Sequence, residues 1–179
     1  RPLSLASFVA DSRTWPADPL SFRITNLLIH FVNGLLVLFL AQAILALHVN
    51  RRTAWQLAVI CMAVWIIHPL LVSTTAYVIQ RMTQLASLFV LTGLLSYIRG
   101  RRLLDSRPGR GWAGIILGMG VSGVLAVLSK ESGILLPLFA LVIELTVFSH
   151  TSLARGRKTA LLALLVVPSL AMPAYVVLN

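Results

Sequence analysis

Long apolar runs alternate with short polar gaps along the whole chain, and the runs are continuously apolar rather than alternating residue by residue. They cover approximately residues 24–47, 54–72, 76–98, 112–128, 133–148 and 159–178. A helix needs about 20 apolar residues to cross the roughly 30 Å hydrocarbon layer, so the pattern predicts an all-α, polytopic transmembrane helix bundle of about six spans. The fourth and fifth runs are slightly short. Barrel strands would alternate apolar and polar positions, which these runs do not. Residues 1–22 read as an outer, periplasmic segment, with Trp15-Pro16 and Asp18-Pro19 as turn signals. The transmembrane domain then occupies 23–179.

Composition agrees with a bilayer as solvent. The 179 residues are 58% hydrophobic and 11% charged, outside the range of ordinary soluble domains. A net charge of +10 raises the question of nucleic acid, but the distribution of charge excludes it. Ten of the 15 Lys and Arg residues fall in the first, third and fifth gaps: Arg51 and Arg52; Arg99, Arg101, Arg102, Arg107 and Arg110; Arg155, Arg157 and Lys158. That asymmetry places those gaps in the cytoplasm by the positive-inside rule. The N-terminal segment, the turn near His68 and the turn at Lys130 then face outward, as expected of a multi-pass membrane protein. The stretch 99–111 reads as a basic loop touching anionic lipid. Gly114, Gly118 and Ser122 follow the small-xxx-small spacing that brings helix backbones together. Cys61, alone in an apolar run, reads as a small packing residue. The absence of an initiator Met and of a signal peptide is expected of an internal piece of a longer protein.

Polar residues at membrane depth are costly, so their positions carry the functional signal. Arg23, Asn26, His30 and Asn33 recur at helical spacing on one face of the first run. His68-Pro69 closes the second. Tyr77, Arg81 and Gln84 share a face at the start of the third. Ser129-Lys130-Glu131-Ser132-Gly133 joins the fourth and fifth. By the topology above they gather in the outer half of the membrane. Interhelical hydrogen bonding is the competing explanation for Asn26, His30 and Asn33. A solvated Lys130–Glu131 pair competes for the hairpin. Glu144, about one turn from the inner surface, is expected to snorkel and has no assigned role. No metal-ligand cluster, nucleophile elbow, P-loop or dinucleotide fingerprint appears.

Several motifs occur together in order: Arg1-Pro2-Leu3 with Phe8; Asp18-Pro19 leading into Asn26, His30 and Asn33; His68-Pro69 followed by Ala76-Tyr77-Val78 and Arg81; and Leu128-Ser129-Lys130-Glu131-Ser132-Gly133. In these, residues 1–145 resemble the membrane domain of GT-C-type glycosyltransferases, especially bacterial relatives of the transmembrane-and-TPR O-mannosyltransferases. The resemblance implies transfer of a sugar from a polyprenyl-phosphate donor to a protein or glycan acceptor on the outer face of a bacterial inner membrane. It implies substrate-binding roles for Arg81, Lys130, Glu131, His30, Asn26, His68, Arg23 and Gln84, with Glu131 orienting Lys130. The catalytic acid of such enzymes follows a helix upstream of the Arg-Pro-Leu segment. This chain alone is therefore expected to be inactive, and a divalent metal belongs, if anywhere, to the full-length protein. Where eukaryotic relatives carry further acids, this chain has Ser73 and Thr83. A transporter or flippase of lipid-linked sugars and a non-catalytic membrane subunit are the rival readings.

Overall fold

The computed structural model describes residues 1–12, 19–149, 151 and 153–178, the side chains of 72–74 and 171–178 excepted. The turn signals at Trp15-Pro16 and Asp18 lie outside the described residues, as does the side chain of Ser73. The fold is all-α. In order come α1 (Pro2–Asp11), α2 (Pro19–Leu45), α3 (Arg51–Ile67), α4 (Leu70–Ala76), α5 (Arg81–Leu103), α6 (Pro108–Ser129), α7 (Leu136–Thr146) and α8 (Arg155–Leu178). Short 3₁₀ turns, Val78–Gln80 and Glu131–Leu135, lead into α5 and α7. The middle of α6, Gly114–Met119, is π-wound.

Among the described residues, three helical stretches are long and apolar enough to cross a membrane: Pro19–Leu45, Val78–Leu103 and Pro108–Ser129. The expectation of six spans is thereby corrected, and the reason lies in where helices stop. Asn50 starts α3 by accepting the Thr53 N–H at 3.0 Å, a side-chain cap. The helix ends after 17 residues because His68 precedes Pro69, whose ring drives it into extended backbone (φ −64°, ψ 125°). The apolar run carried to residue 72 in the sequence is thus divided between α3 and α4. Extended backbone at Lys130 and the 3₁₀ turn after it leave α7 only 11 residues, about 16 Å at 1.5 Å per residue. Arg155, Arg157 and Lys158 occupy the first turn of α8, and the rest of its expected span runs into residues 171–178. The basic stretch 99–111, expected as a loop, is mostly helical. α5 continues to Leu103 and α6 begins at Pro108, where a missing N–H costs no helical bond.

α5 is the axis of the bundle. α2 lies along one side of it and carries α3; α6 lies along another; α7 leans on α5 and carries α8. The crossing of α5 and α6 is close because small residues meet there. A Cβ on Gly118 would come within 2.5 Å of Ser96 Cβ, and one on Gly93 within 3.2 Å of Ser122 Cβ, while Gly114 faces Gly100. The small-residue spacing read from the sequence is therefore a helix-packing device. Leu94, Leu95, Ile98, Ile115 and Leu136 fill the core beside it. Leu28 and Phe31 on α2, and Leu117, Val121 and Val124 on α6, point outward and stay exposed, an apolar exterior suited to lipid. Cys61 joins that exterior on α3 rather than packing inside.

Candidate functional site

Four elements converge at the end of the bundle where α5 begins, and Arg81 is their centre. Its side chain is fully buried. Nε donates to Asn26 Oδ1 at 2.8 Å, Nη1 to the Ser7 carbonyl at 2.9 Å and Nη2 to the Phe22 carbonyl at 3.0 Å. Nη2 also lies 2.6 Å from Asp11 Oδ2, an ion pair off the hydrogen-bonding direction. The rings of Phe8 and Phe22 approach the guanidinium at 5.0 and 5.4 Å, within cation–π range. Asn26 completes the unit by donating to the carbonyls of Thr75 and Tyr77 at 3.3 and 3.2 Å. A buried cation is tolerable only when paired and hydrogen-bonded, and α1 supplies what this one needs. The expectation of Arg81 as a donor-phosphate contact is corrected on that ground: α1 closes over it, and its acceptors come from this chain. Tyr77 does not share its face. It precedes the helix and is 65% exposed.

Lys130 is held differently. The α6–α7 hairpin folds tightly because Gly133 lies against α6, where a Cβ would come within 2.6 Å of Ala126 Cβ. Ser4 Oγ of α1 donates to the Ser129 carbonyl at 2.8 Å and fixes the hairpin from the other side. Lys130 Nζ then reaches the first turn of α5 and donates to Thr83 Oγ1 at 2.8 Å, whose hydroxyl donates to Gln80 Oε1 at 3.0 Å. Glu131 does not orient Lys130, contrary to expectation. Its carboxylate accepts from Arg1 Nε at 2.8 Å in an exposed pair. The Arg1 hydrogen bond holds the Glu131 carboxyl below its ordinary pKa and raises that of Arg1. Among the described residues, Lys130 has a neutral partner and no carboxylate.

Thr83 and Ser132 form the polar end of a cavity of about 290 Å³ whose walls include Val37, Trp65, Val90, Leu91 and Phe139. Lys130 does not line the cavity itself; it meets the polar end through the Thr83 hydroxyl.

The other sequence-predicted residues are dispersed. His30 is buried, with Nε2 3.1 Å from the Ile66 carbonyl and its ring stacked on Trp65 at 4.7 Å. It ties α2 to α3. Asn33 donates to the Gln84 carbonyl at 2.9 Å, and both side chains are buried between α2 and α5. Arg23 is exposed and lines a separate groove of about 400 Å³ with His30, Ile66 and Thr75. His68 is exposed, its Nδ1 accepting the Leu70 N–H at 3.3 Å, so it closes the turn after α3. Asn26, His30 and Asn33 do share one buried face of α2, as their spacing predicts; they use it for interhelical bonds.

Sequence reasoning passed over Ser7, Asp11 and the Arg101–Glu144 pair. The signal for them is scarcity: the chain has five acidic residues against 15 basic ones. Every acid whose side chain is described lies beside an arginine: Asp11 beside Arg81, Asp105 beside Arg157, Glu131 beside Arg1 and Glu144 beside Arg101. Among the described residues no cluster of three His, Cys, Asp or Glu could hold a metal ion. Comparison with protein-family models, with curated proteins and with solved structures found no match to this chain.

Proposed function

We propose that this chain is part of a multi-pass membrane glycosyltransferase that moves a sugar from a polyprenyl-phosphate donor to an acceptor at the outer face of the membrane. The observation that carries the reading is that Lys130 donates to Thr83, a neutral hydroxyl that lines the polar end of a largely apolar cavity. In the transfer the bond between the anomeric carbon and the phosphate oxygen breaks. A bond to the acceptor oxygen forms, and the acceptor proton passes to a base outside this chain. Negative charge grows on the departing lipid phosphate. A preorganised ammonium in a low-dielectric setting stabilises that charge more than water does. Thr83 holds Nζ in place, Ser132 adds a hydroxyl at the same rim, and the walls from Val37 to Phe139 take the first part of the polyprenyl tail. The order of motifs around Arg1, Asn26, His68 and Lys130 supports the same assignment.

Lys130→Ala in the full-length protein is expected to lower transfer from a radiolabelled polyprenyl-phosphate sugar about 10²–10³-fold, the loss typical of one preorganised donor to a developing anion. Unchanged transfer would reduce the hairpin to a structural turn. Donor flipping in liposomes with no transfer by the unmodified protein would replace the enzyme with a transporter.

A further inference from the structure

At the opposite end of α5 the close approach of α5 and α6 leaves a second groove. Gly100, Gly114 and Gly118 have no side chains to fill the seam, which opens into a space of about 430 Å³. Arg99 and Arg110 line it, with Leu103, Ala113, Leu117 and Ser96 as the rest of its floor and walls. Both arginines are exposed. Their neighbours are committed: Arg101 to Glu144, and Arg157 to the Leu104 carbonyl near Asp105. Neither Arg99 nor Arg110 has a hydrogen-bond or ion-pair partner among the described residues. The groove runs about 10 Å along α5, from the Leu103–Arg110 rim inward to Ser96 at 1.5 Å per residue. Its rim lies at the ends of two helices long enough to span a bilayer.

We infer that this groove is a binding site for an anionic glycerophospholipid, its phosphodiester between Arg99 and Arg110 and an acyl chain along Leu117 toward Ser96. Guanidinium groups match phosphate oxygens with paired N–H donors, and two of them without protein acceptors at a membrane boundary complement one lipid phosphate. The apolar seam below distinguishes the site from a diffuse basic surface, which would attract anionic lipid without holding a tail. The inference shares only the membrane placement with the proposed enzyme. Lys130→Ala leaves both arginines in place, so transfer and lipid binding fail separately.

The test is native mass spectrometry of the purified protein titrated with phosphatidylglycerol and, separately, phosphatidylcholine. The double variant Arg99→Ala/Arg110→Ala is expected to bind phosphatidylglycerol roughly ten- to thirtyfold more weakly, from the loss of two cations near the surface. The variant Arg102→Ala/Arg107→Ala removes the same charge from the same turn outside the groove and is expected to change binding less than about threefold. Ala113→Phe fills the exposed groove while keeping both arginines and is expected to weaken binding of the same lipid. Equal losses in the two double variants would leave a diffuse basic patch and overturn the site. So would unchanged binding by Arg99→Ala/Arg110→Ala or by Ala113→Phe. Equal binding of phosphatidylcholine, or displacement of the lipid by excess inorganic phosphate, would overturn the anionic-lipid assignment.

Discussion

Arg81 and Arg101 occupy opposite ends of α5, about 30 Å apart at 1.5 Å per residue, close to the thickness of a bilayer's hydrocarbon. Both are buried and both lie against aromatic rings, yet they are satisfied by different means. Arg101 Nε donates to both oxygens of Glu144 at 3.0 Å, and Nη2 donates to Thr151 Oγ1 at 3.1 Å. Tyr97 donates its hydroxyl proton to the same carboxylate at 2.6 Å. This is a charge pair between α5 and α7, sealed on both partners. Glu144, expected to snorkel toward water, is instead 3% exposed. Arg81 meets mostly neutral oxygens from Asn26, Ser7 and Phe22, and its one carboxylate among the described residues, Asp11, keeps 18% exposure. One end is an ion pair that closes the bundle. The other is a polar scaffold that sets α1, α2 and the α6–α7 hairpin around Lys130 and its cavity.

The sharpest way to break this contrast is to remove one carboxylate at a time. Glu144→Leu strands the buried Arg101 and is expected to cost about 3–5 kcal/mol of stability, most of it recovered in Arg101→Met/Glu144→Leu, as for other buried pairs replaced whole. Asp11→Asn leaves Arg81 its three neutral acceptors and is expected to cost about 1–3 kcal/mol, the range for a buried polar group that loses one partner. Unfolding in detergent or bicelles measures both, and equal costs would erase the difference between the ends. The smallest effect belongs to the exposed Arg1–Glu131 pair. Its folded-state carboxyl pKa is lowered, so its contribution is present above the ordinary glutamate value and fades as pH falls through the folded one. Glu131→Gln should therefore leave stability near neutral pH almost unchanged and should match the parent protein in acid. A large loss at neutral pH would show that this pair, rather than Gly133 and Ser4, holds the hairpin.

What the sequence carries and what it hides follow from the range of each interaction. Apolar runs report the all-α class because lipid-length hydrophobicity is local. The Asn26, His30 and Asn33 stripe and the Gly114, Gly118 and Ser122 stripe report buried faces because helical spacing is local too. Span number is misjudged at His68-Pro69, where the apolar run crosses a helix break, and after Lys130, where the 3₁₀ turn Glu131–Leu135 takes the start of the fifth run and leaves only Leu136–Thr146 as helix. Two partners of Arg81, Ser7 and Asp11, come from α1, whose residues are unremarkable in hydropathy, and Glu144 finds Arg101 only through the packing of α7 on α5. Lys130 is legible as a candidate, but its hydroxyl partner and the cavity beneath it need the hairpin and the first turn of α5 side by side.

The most direct measurement is photo-crosslinking of the full-length protein with a polyprenyl phosphate carrying a photoreactive group on the isoprene units nearest the phosphate, read by mass spectrometry. The account predicts adducts on Val37, Val90, Leu91 and Phe139, lost in competition with unlabelled donor and reduced in Lys130→Ala. Adducts confined to the outward faces of α6 and α8, or labelling insensitive to competing donor, would contradict it.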